Sequence, residues 1–340
     1  MDKTLIDKEY SDGIKGWMCV AVLLHHLALF SGIFANTYFG HFLNLLGSWA
    51  VAVFLFLSGY GLYVSYSAKG DSYIRGFLKK RFLPLYISYL IAVMIYFIYD
   101  YLIPFIKNTS AVSVKEALIK LLKSLTWGET VVSFGWFFQM LFVAYLLFFF
   151  VFRFCKKPFI RSLILGIVFL IYLLFAHCFG QYDVPIISFA CGMIAAVHRN
   201  RLSRFFEKYM IVLTILFFCI FFTVYMLYVQ GTIMGKFAMN YVTWSALSAV
   251  SDIAIIGFVI SVSTIFKKYK IPVIVNPVTS LIKTYSFEIY VLQGLFLRLL
   301  NPMIENRYMY SAVSFFCIIA ASLLLNLLIT LVKKPFTKTA

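Results

Sequence analysis

Few residues of this chain are both ionisable and set inside long apolar stretches, and those few are the candidates for chemistry. A charged side chain at the middle of a bilayer costs about 2.5–3.5 kcal/mol on insertion scales, so a polar group kept there needs a reason. His25 and His26 lie midway along the first apolar stretch, Asp252 midway along the eighth and Glu288 in the inner half of the ninth. Lys15 and His26 are eleven residues apart. At 3.6 residues per turn this is about three full turns, so both share one helix face about 16 Å apart along the axis. A cation at the rim and an imidazole at depth on one wall suit a channel that draws in an anionic cosubstrate and presents it to a base. Histidine is the side chain whose ordinary pKa suits proton transfer near neutral pH. The competing reading is that His26 packs against a neighbouring helix with its hydrogen bonds satisfied.

Other polar groups form stripes at helical spacing. Tyr241, Ser245, Ser248 and Asp252 fall at i, i+4, i+7 and i+11. This stripe faces a bundle interior either as a site or as interhelical hydrogen bonding. Ser286, Tyr290 and Gln293 share a face and Glu288 lies on another; Glu288 suits either orienting a histidine or substrate hydroxyl, or anchoring helices. Ser58-Gly59-Tyr60 ends the second apolar stretch, where the glycine permits close backbone approach.

The elements that must carry these groups are membrane helices. Hydrophobic residues make up 63% of 340, charged residues only 13%, and mean hydropathy is +0.92. Soluble domains hold about 45–50% apolar and about 25% charged residues, so a soluble enzyme and a disordered chain are both excluded. Apolar runs near 20 residues also exclude a membrane β-barrel, whose strands alternate. The reading is an all-α polytopic bundle of ten spans, at 14–34, 43–66, 82–104, 134–154, 161–180, 183–198, 209–229, 241–266, 278–300 and 310–332. The sixth is short and carries Pro185 and Gly192, which suits burial among other helices.

The net charge of +17 would suggest nucleic acid in a soluble protein, but here it follows the positive-inside rule and no nucleic-acid partner is expected. Most of the 30 basic residues fall in segments that share one side of the membrane when both termini are cytoplasmic. The chain reads as one membrane domain over 1–340 in a cell (inner, cytoplasmic) membrane, with no cleavable signal peptide, disulfide framework or metal site expected from its six cysteines. One long outside loop, 105–133, carries Val114, Leu118, Leu121, Leu122 and Leu125 at helical spacing, which predicts an amphipathic helix lying on the membrane or acting as a lid.

Several motifs in order along the chain resemble the membrane acyltransferase-3 family, over nearly the whole length. Lys15-Gly16 through His25-His26 is similar to the family's Arg, ten residues, His pattern. Residues 47–60, ending Leu57-Ser58-Gly59-Tyr60, resemble its second-helix signature. Lys79-Lys80-Arg81-Phe82-Leu83-Pro84-Leu85-Tyr86 resembles its basic approach to the third helix, and Trp136-Phe137-Phe138 with Tyr145 its fourth-helix tryptophan motif. Residues 286–293 resemble a late Ser-x-x-x-Tyr-x-x-His motif. Two departures stand out. Lys15 replaces arginine, keeping the charge but losing the bidentate fork. Gln293 replaces histidine and cannot act as a base.

The resemblance implies an integral-membrane O-acyltransferase that moves an acyl group, acetyl first, from cytoplasmic acetyl-CoA to a hydroxyl of a cell-surface polysaccharide or lipid-linked glycan. On that reading His26 is the general base, with Glu288 or Asp252 setting its tautomer. Lys15, Lys79, Lys80 and Arg81 bind the CoA phosphates. His25, Ser58, Tyr60, Trp136, Tyr290 and Gln293 line the acceptor site. Membrane lipid is a further partner, no metal is expected, and the oligomeric state stays open, a homodimer included. The competing classes are a transporter or lipid flippase, and an inactive sensor on the same scaffold.

Overall fold

A computed structural model describes residues 4–35, 37–107, 109, 112–126, 129–157, 160, 164, 166–167, 186–233, 235 and 241–337. The described residues are helical and contain no strand. Helices α1 (Lys8–Ser31), α2 (Tyr38–Lys69), α3 (Asp71–Ile106), α5 (Trp136–Phe154), α7 (Arg199–Gly231), α8 (Thr243–Lys268) and α11 (Arg307–Lys333) are each long and apolar enough to cross a membrane. Between them lie α4 (Val114–Leu125), α6 (Ile186–Val197), α9 (Pro277–Thr284) and α10 (Ser286–Leu300). The protein is thus an all-helical, multi-pass membrane protein. The fifth expected span, 161–180, lies almost entirely outside the described residues, as does Pro185.

Three spans differ in form from the sequence reading, each for a local reason. The third runs over 36 residues instead of starting at 82. It passes Pro84 and Pro104 because each proline lies two residues after a π turn, Leu78–Phe82 and Ile98–Leu102. Proline offers no N–H to the ladder, and a widened turn absorbs the lost bond. Of the sixth, the described helix Ile186–Val197 is 12 residues, about 18 Å at 1.5 Å per residue, and residues 183–185 lie outside the described residues. The ninth is two helices: the capping box of Asn276 with Thr279, and Pro277 at the first turn, start α9, and Tyr285 interrupts the ladder before α10.

The chain divides into two compact units, residues 1–70 with 166–286 and residues 71–165 with 287–340. In the first, α1 packs on α2 and α9, α2 on α6, and α7 on α8. Small residues set these distances. A Cβ at Gly192 would lie 2.1 Å from the Phe56 carbonyl oxygen, and one at Gly59 equally close to that of Phe189, so α2 and α6 touch backbone to backbone. Gly13 and Gly16 meet Ile274 and Thr279 in the same way, at 2.1 and 2.4 Å. The core between these contacts holds Ile14, Val53, Phe56, Leu57, Ile256 and Ile260.

The second unit contains α3, α4, α5, α10 and α11 and is built on aromatic rings. Tyr89 and Phe142 lie 5.3 Å apart, Phe77 and Phe148 5.6 Å, and Phe138 and Tyr290 5.2 Å. The expected loop helix is α4, started by the Ser113–Glu116 capping box. Its Val114, Leu118 and Leu122 form an exposed apolar stripe. Its far end is tied to α3, where Tyr86 donates to the Leu125 carbonyl at 3.0 Å and Tyr89 to that of Ser124 at 3.3 Å.

Candidate functional site

The candidate residues fall into two groups, one in each unit. In the first unit, α1 carries Lys15 and His26 as the sequence spacing requires. Lys15 is partly exposed, and its ammonium lies 4.0 Å from Asp12, whose other oxygen is 3.2 Å from Lys283. Asp12 therefore holds two lysines, from α1 and α9, at one end of α1. Neither Asp12 nor Lys283 stands out in the sequence, because their pairing spans some 270 residues and the helical period of α1 gives no sign of it. Gly16, beside Lys15, lets the backbone of α9 approach closely enough to make that pairing. Trp17 reinforces it by donating from Nε1 to the Val273 carbonyl at 2.9 Å.

His26 is 6% exposed and its Nδ1 atom is buried. His25 points elsewhere: its Nδ1 lies 2.9 Å from the Leu43 carbonyl oxygen, and its ring sits where a side chain on Gly47 would be. The two imidazoles are 4.7 Å apart, centre to centre. His25 thus joins α1 to α2 and sets the rotation of α1 that fixes His26.

Tyr60 is buried, and its hydroxyl accepts the backbone N–H groups of Leu5 and Ile6 at 3.1 and 3.4 Å, pinning the segment ahead of α1. Ser58 donates to the Phe54 carbonyl at 2.8 Å within its own helix. Asp252 is 3% exposed and borders a cavity of about 20 Å³ with Ser48, Trp49, Tyr228, Ser248 and Ser251. That is room for one water molecule. Trp49 Nε1 donates to Ser251 at 2.7 Å along the same wall. Of the serine–aspartate stripe, Ser248 and Asp252 face this cavity; the side chain of Tyr241 lies outside the described residues.

The second unit carries the other group. Lys79, Lys80 and Arg81 are all exposed on the first π turn of α3. Trp136 opens α5 and is half-buried. Glu288 is 4% exposed and accepts a hydrogen bond from Asn326 Nδ2 of α11 at 2.9 Å. Asn326 is a second partner that spacing could not reveal, since it lies one helix away. Tyr290 is packed against Phe137 and Phe138 and donates to the Phe134 carbonyl at 3.1 Å. Phe134 itself adopts φ +62°, a conformation costly for an aromatic residue, and this hydrogen bond helps to hold it. Gln293 is fully buried, and neither amide atom has a hydrogen-bond partner among the described residues. A buried amide without a partner costs a few kcal/mol, which sets Gln293 apart from the other polar groups of α10.

Chemically, the first group offers a buried imidazole and a cluster of cations at one end of the same helix. The second offers an anchored carboxylate, a buried amide and an exposed basic turn. Comparison with curated proteins and with solved structures returned no significant match. The sequence profile of the acyltransferase-3 family, described as an acyltransferase domain, matches residues 8–331. With nearly the whole chain covered and its helices built to cross a bilayer, the protein belongs to the acyltransferase-3 family and is a multi-pass membrane acyltransferase.

Proposed function

We propose that the protein is an O-acyltransferase of the cytoplasmic membrane. It takes an acetyl group from cytoplasmic acetyl-CoA and esterifies a hydroxyl of a surface polysaccharide or its lipid-linked precursor. The observation that carries this reading is the shared face of α1, with a buried imidazole at His26 and the Lys15–Asp12–Lys283 cluster at its end. If the loop charges are read by the positive-inside rule, the N-terminal end of α1 and this cluster lie at the inner face, where CoA arrives.

In the reaction, a nitrogen of His26 takes the proton of the acceptor hydroxyl as its oxygen attacks the thioester carbonyl. The C–S bond then breaks, and the imidazolium returns the proton to the CoA thiolate. The products are an acetyl ester and free CoA, with His26 neutral again. Lys15, Lys79, Lys80 and Arg81 attract the phosphates of the donor by charge. Asp252 is assigned to polarising its small cavity, and Glu288, steadied by Asn326, to a hydroxyl of the acceptor. Gln293 supplies an amide to the acceptor, without proton transfer. The aromatic groups Tyr60, Trp136 and Tyr290 shape the walls, and His25 and Ser58 hold the helix positions.

The test is transfer of labelled acetyl from acetyl-CoA by the purified protein to surface-glycan acceptors, followed by mass spectrometry. His26→Ala is expected to lower kcat about 10²–10⁴-fold with normal insertion. Retention of more than about a tenth of the activity removes His26 as the base. No labelled glycan from acetyl-CoA, together with transbilayer movement of lipid without esterification, favours the transporter class instead.

A further inference from the structure

The first unit contains a second polar feature that the acyl-transfer chemistry does not use. A cavity of about 600 Å³ lies beside Thr4 and Leu5, the first turns of α7 (Ser203, Arg204, Lys208) and the end of α8 (Thr264, Lys267, Lys268). Pockets of about 300–1,000 Å³ are the size that holds small ligands. Four cations line it, against Glu207 within the lining and Asp7, which is paired to Lys267. Ser203 holds Glu207 at 3.3 Å, drawing that carboxylate onto its own helix. The cavity is therefore net positive, and it suits an anion.

The helix above it indicates which anion. α7 departs from helical geometry at Tyr209 (φ −114°, ψ 18°), which divides a basic first segment from the apolar span. Arg204 and Lys208 share a face before this break, and Ile211, Val212 and Ile215 follow just after it. Ile211, Val212 and Ile215 are 57, 63 and 59% exposed. Tyr209 sits at the junction with the Lys208 ammonium 5.0 Å from its ring centre, as interfacial aromatic residues do. The two cations that line the cavity from α7 are thus followed within a few residues by exposed apolar side chains, an arrangement a soluble anion does not need.

We propose that this cavity binds the phosphodiester headgroup of an anionic membrane lipid, with Arg204 and Lys208 on the phosphate and the acyl chains along Ile211, Val212 and Ile215. Basic pockets between membrane helices at the charged interface are the general form of such sites. The bound lipid ties the N-terminal segment, α7 and α8 together at one end of the unit.

The experiment is native mass spectrometry of the full chain in nonionic detergent, titrated with phosphatidylglycerol, phosphatidylcholine, inorganic phosphate and CoA in separate arms. Phosphatidylglycerol is expected to be retained and phosphatidylcholine not. Arg204→Ala with Lys208→Ala is expected to weaken retention about thirty-fold, about 2 kcal/mol for two cations near a charged leaflet. Lys156→Ala with Lys157→Ala, an equal loss of charge elsewhere, is expected to leave it unchanged. A lipid-free melting temperature matching the parent shows that the double variant is folded. If it is not, Arg204→Gln with Lys208→Gln replaces it in the same titration. Equal retention in parent and variant overturns the proposal, as does displacement of the lipid by inorganic phosphate or CoA at matched concentration. Acetyl transfer is not read in this assay, so its outcome is independent of whether His26 is the base.

Discussion

The two compact units hold their helices together by different means, and each means suits the candidate groups it carries. In the first, glycines let backbones touch: Gly59 and Gly192 join α2 to α6, and Gly13 and Gly16 seat α1 against residues 274–279. In the second, tyrosine hydroxyls reach across to carbonyl oxygens. Tyr96 donates to Val291 at 2.8 Å, Tyr290 to Phe134 at 3.1 Å and Tyr310 to Leu297 at 2.9 Å. Backbone contact fixes rotation and depth of a whole helix, which is what a single imidazole on α1 needs. Hydroxyl tethers fix points along α10, which carries Glu288 and Gln293 in one turn and a half. Without a hydrophobic drive between helices in lipid, close packing and such hydrogen bonds are the remaining sources of association.

This contrast can be broken most sharply at Gly59. A Gly59→Val side chain would meet the Phe189 carbonyl, a backbone atom that cannot swing aside. Destabilisation of about 3 kcal/mol or more is expected, at the upper end of overpacking costs. Thermal unfolding in detergent should show it, together with loss of activity as α2 shifts. Near-parental melting would show that the α2–α6 crossing yields, and that the first unit is not held by backbone contact.

The corresponding change in the second unit is smaller. Tyr290→Phe keeps the ring between Phe137 and Phe138 and removes only the hydroxyl. It removes the hydrogen bond to the Phe134 carbonyl, at about 0.5–1.5 kcal/mol. The melting temperature should fall by a few degrees, and more than for a Tyr→Phe change at an exposed tyrosine such as Tyr308. An equal fall at both positions would mean that the tether carries no weight.

The smallest effect lies at the margin of the first unit, where Lys267 is bonded to Asp7. Partial burial pushes the Asp7 carboxyl up, but hydrogen bonds from Lys267 and Thr4 and the lysine charge outweigh it and hold the group below its usual range. A depressed carboxylate adds stability above its unfolded pKa and loses it as pH falls through the folded value. Lys267→Ala should therefore lower stability at neutral pH, by at most about 1 kcal/mol for so exposed a pair. The gap from the parent should close as Asp7 protonates, well below about pH 4. A gap that persists in acid would assign the effect to packing of the lysine stem.

Much of this was legible in the residues. Apolar length identifies α1, α2, α5, α7, α8 and α11, because a bilayer demands a long uninterrupted apolar run whatever its neighbours. The Lys15–His26 face is legible because the helical period alone places two side chains on one stripe. The π turns before Pro84 and Pro104 were not, since their widening is a response of the ladder to proline. The break at Tyr285 was hidden because 278–300 is apolar enough to read as one span, while its division depends on how each half is packed. Asp12, Lys283 and Asn326 escaped notice because nothing in their own helices singles them out; only a partner far along the chain gives them a role.

The sequence by itself determined that this is a helical membrane protein, and which residue types stand inside it at helical spacing. Composition and period act locally, and a bilayer selects on them directly. Only the tertiary structure decided that Asp12 would gather Lys15 and Lys283, that Gly47 would make room for His25, and that Glu288 would rest on Asn326. Those pairings depend on how far one helix can approach another. That distance is set by the absence of a side chain on one helix and the carbonyl it meets on the next.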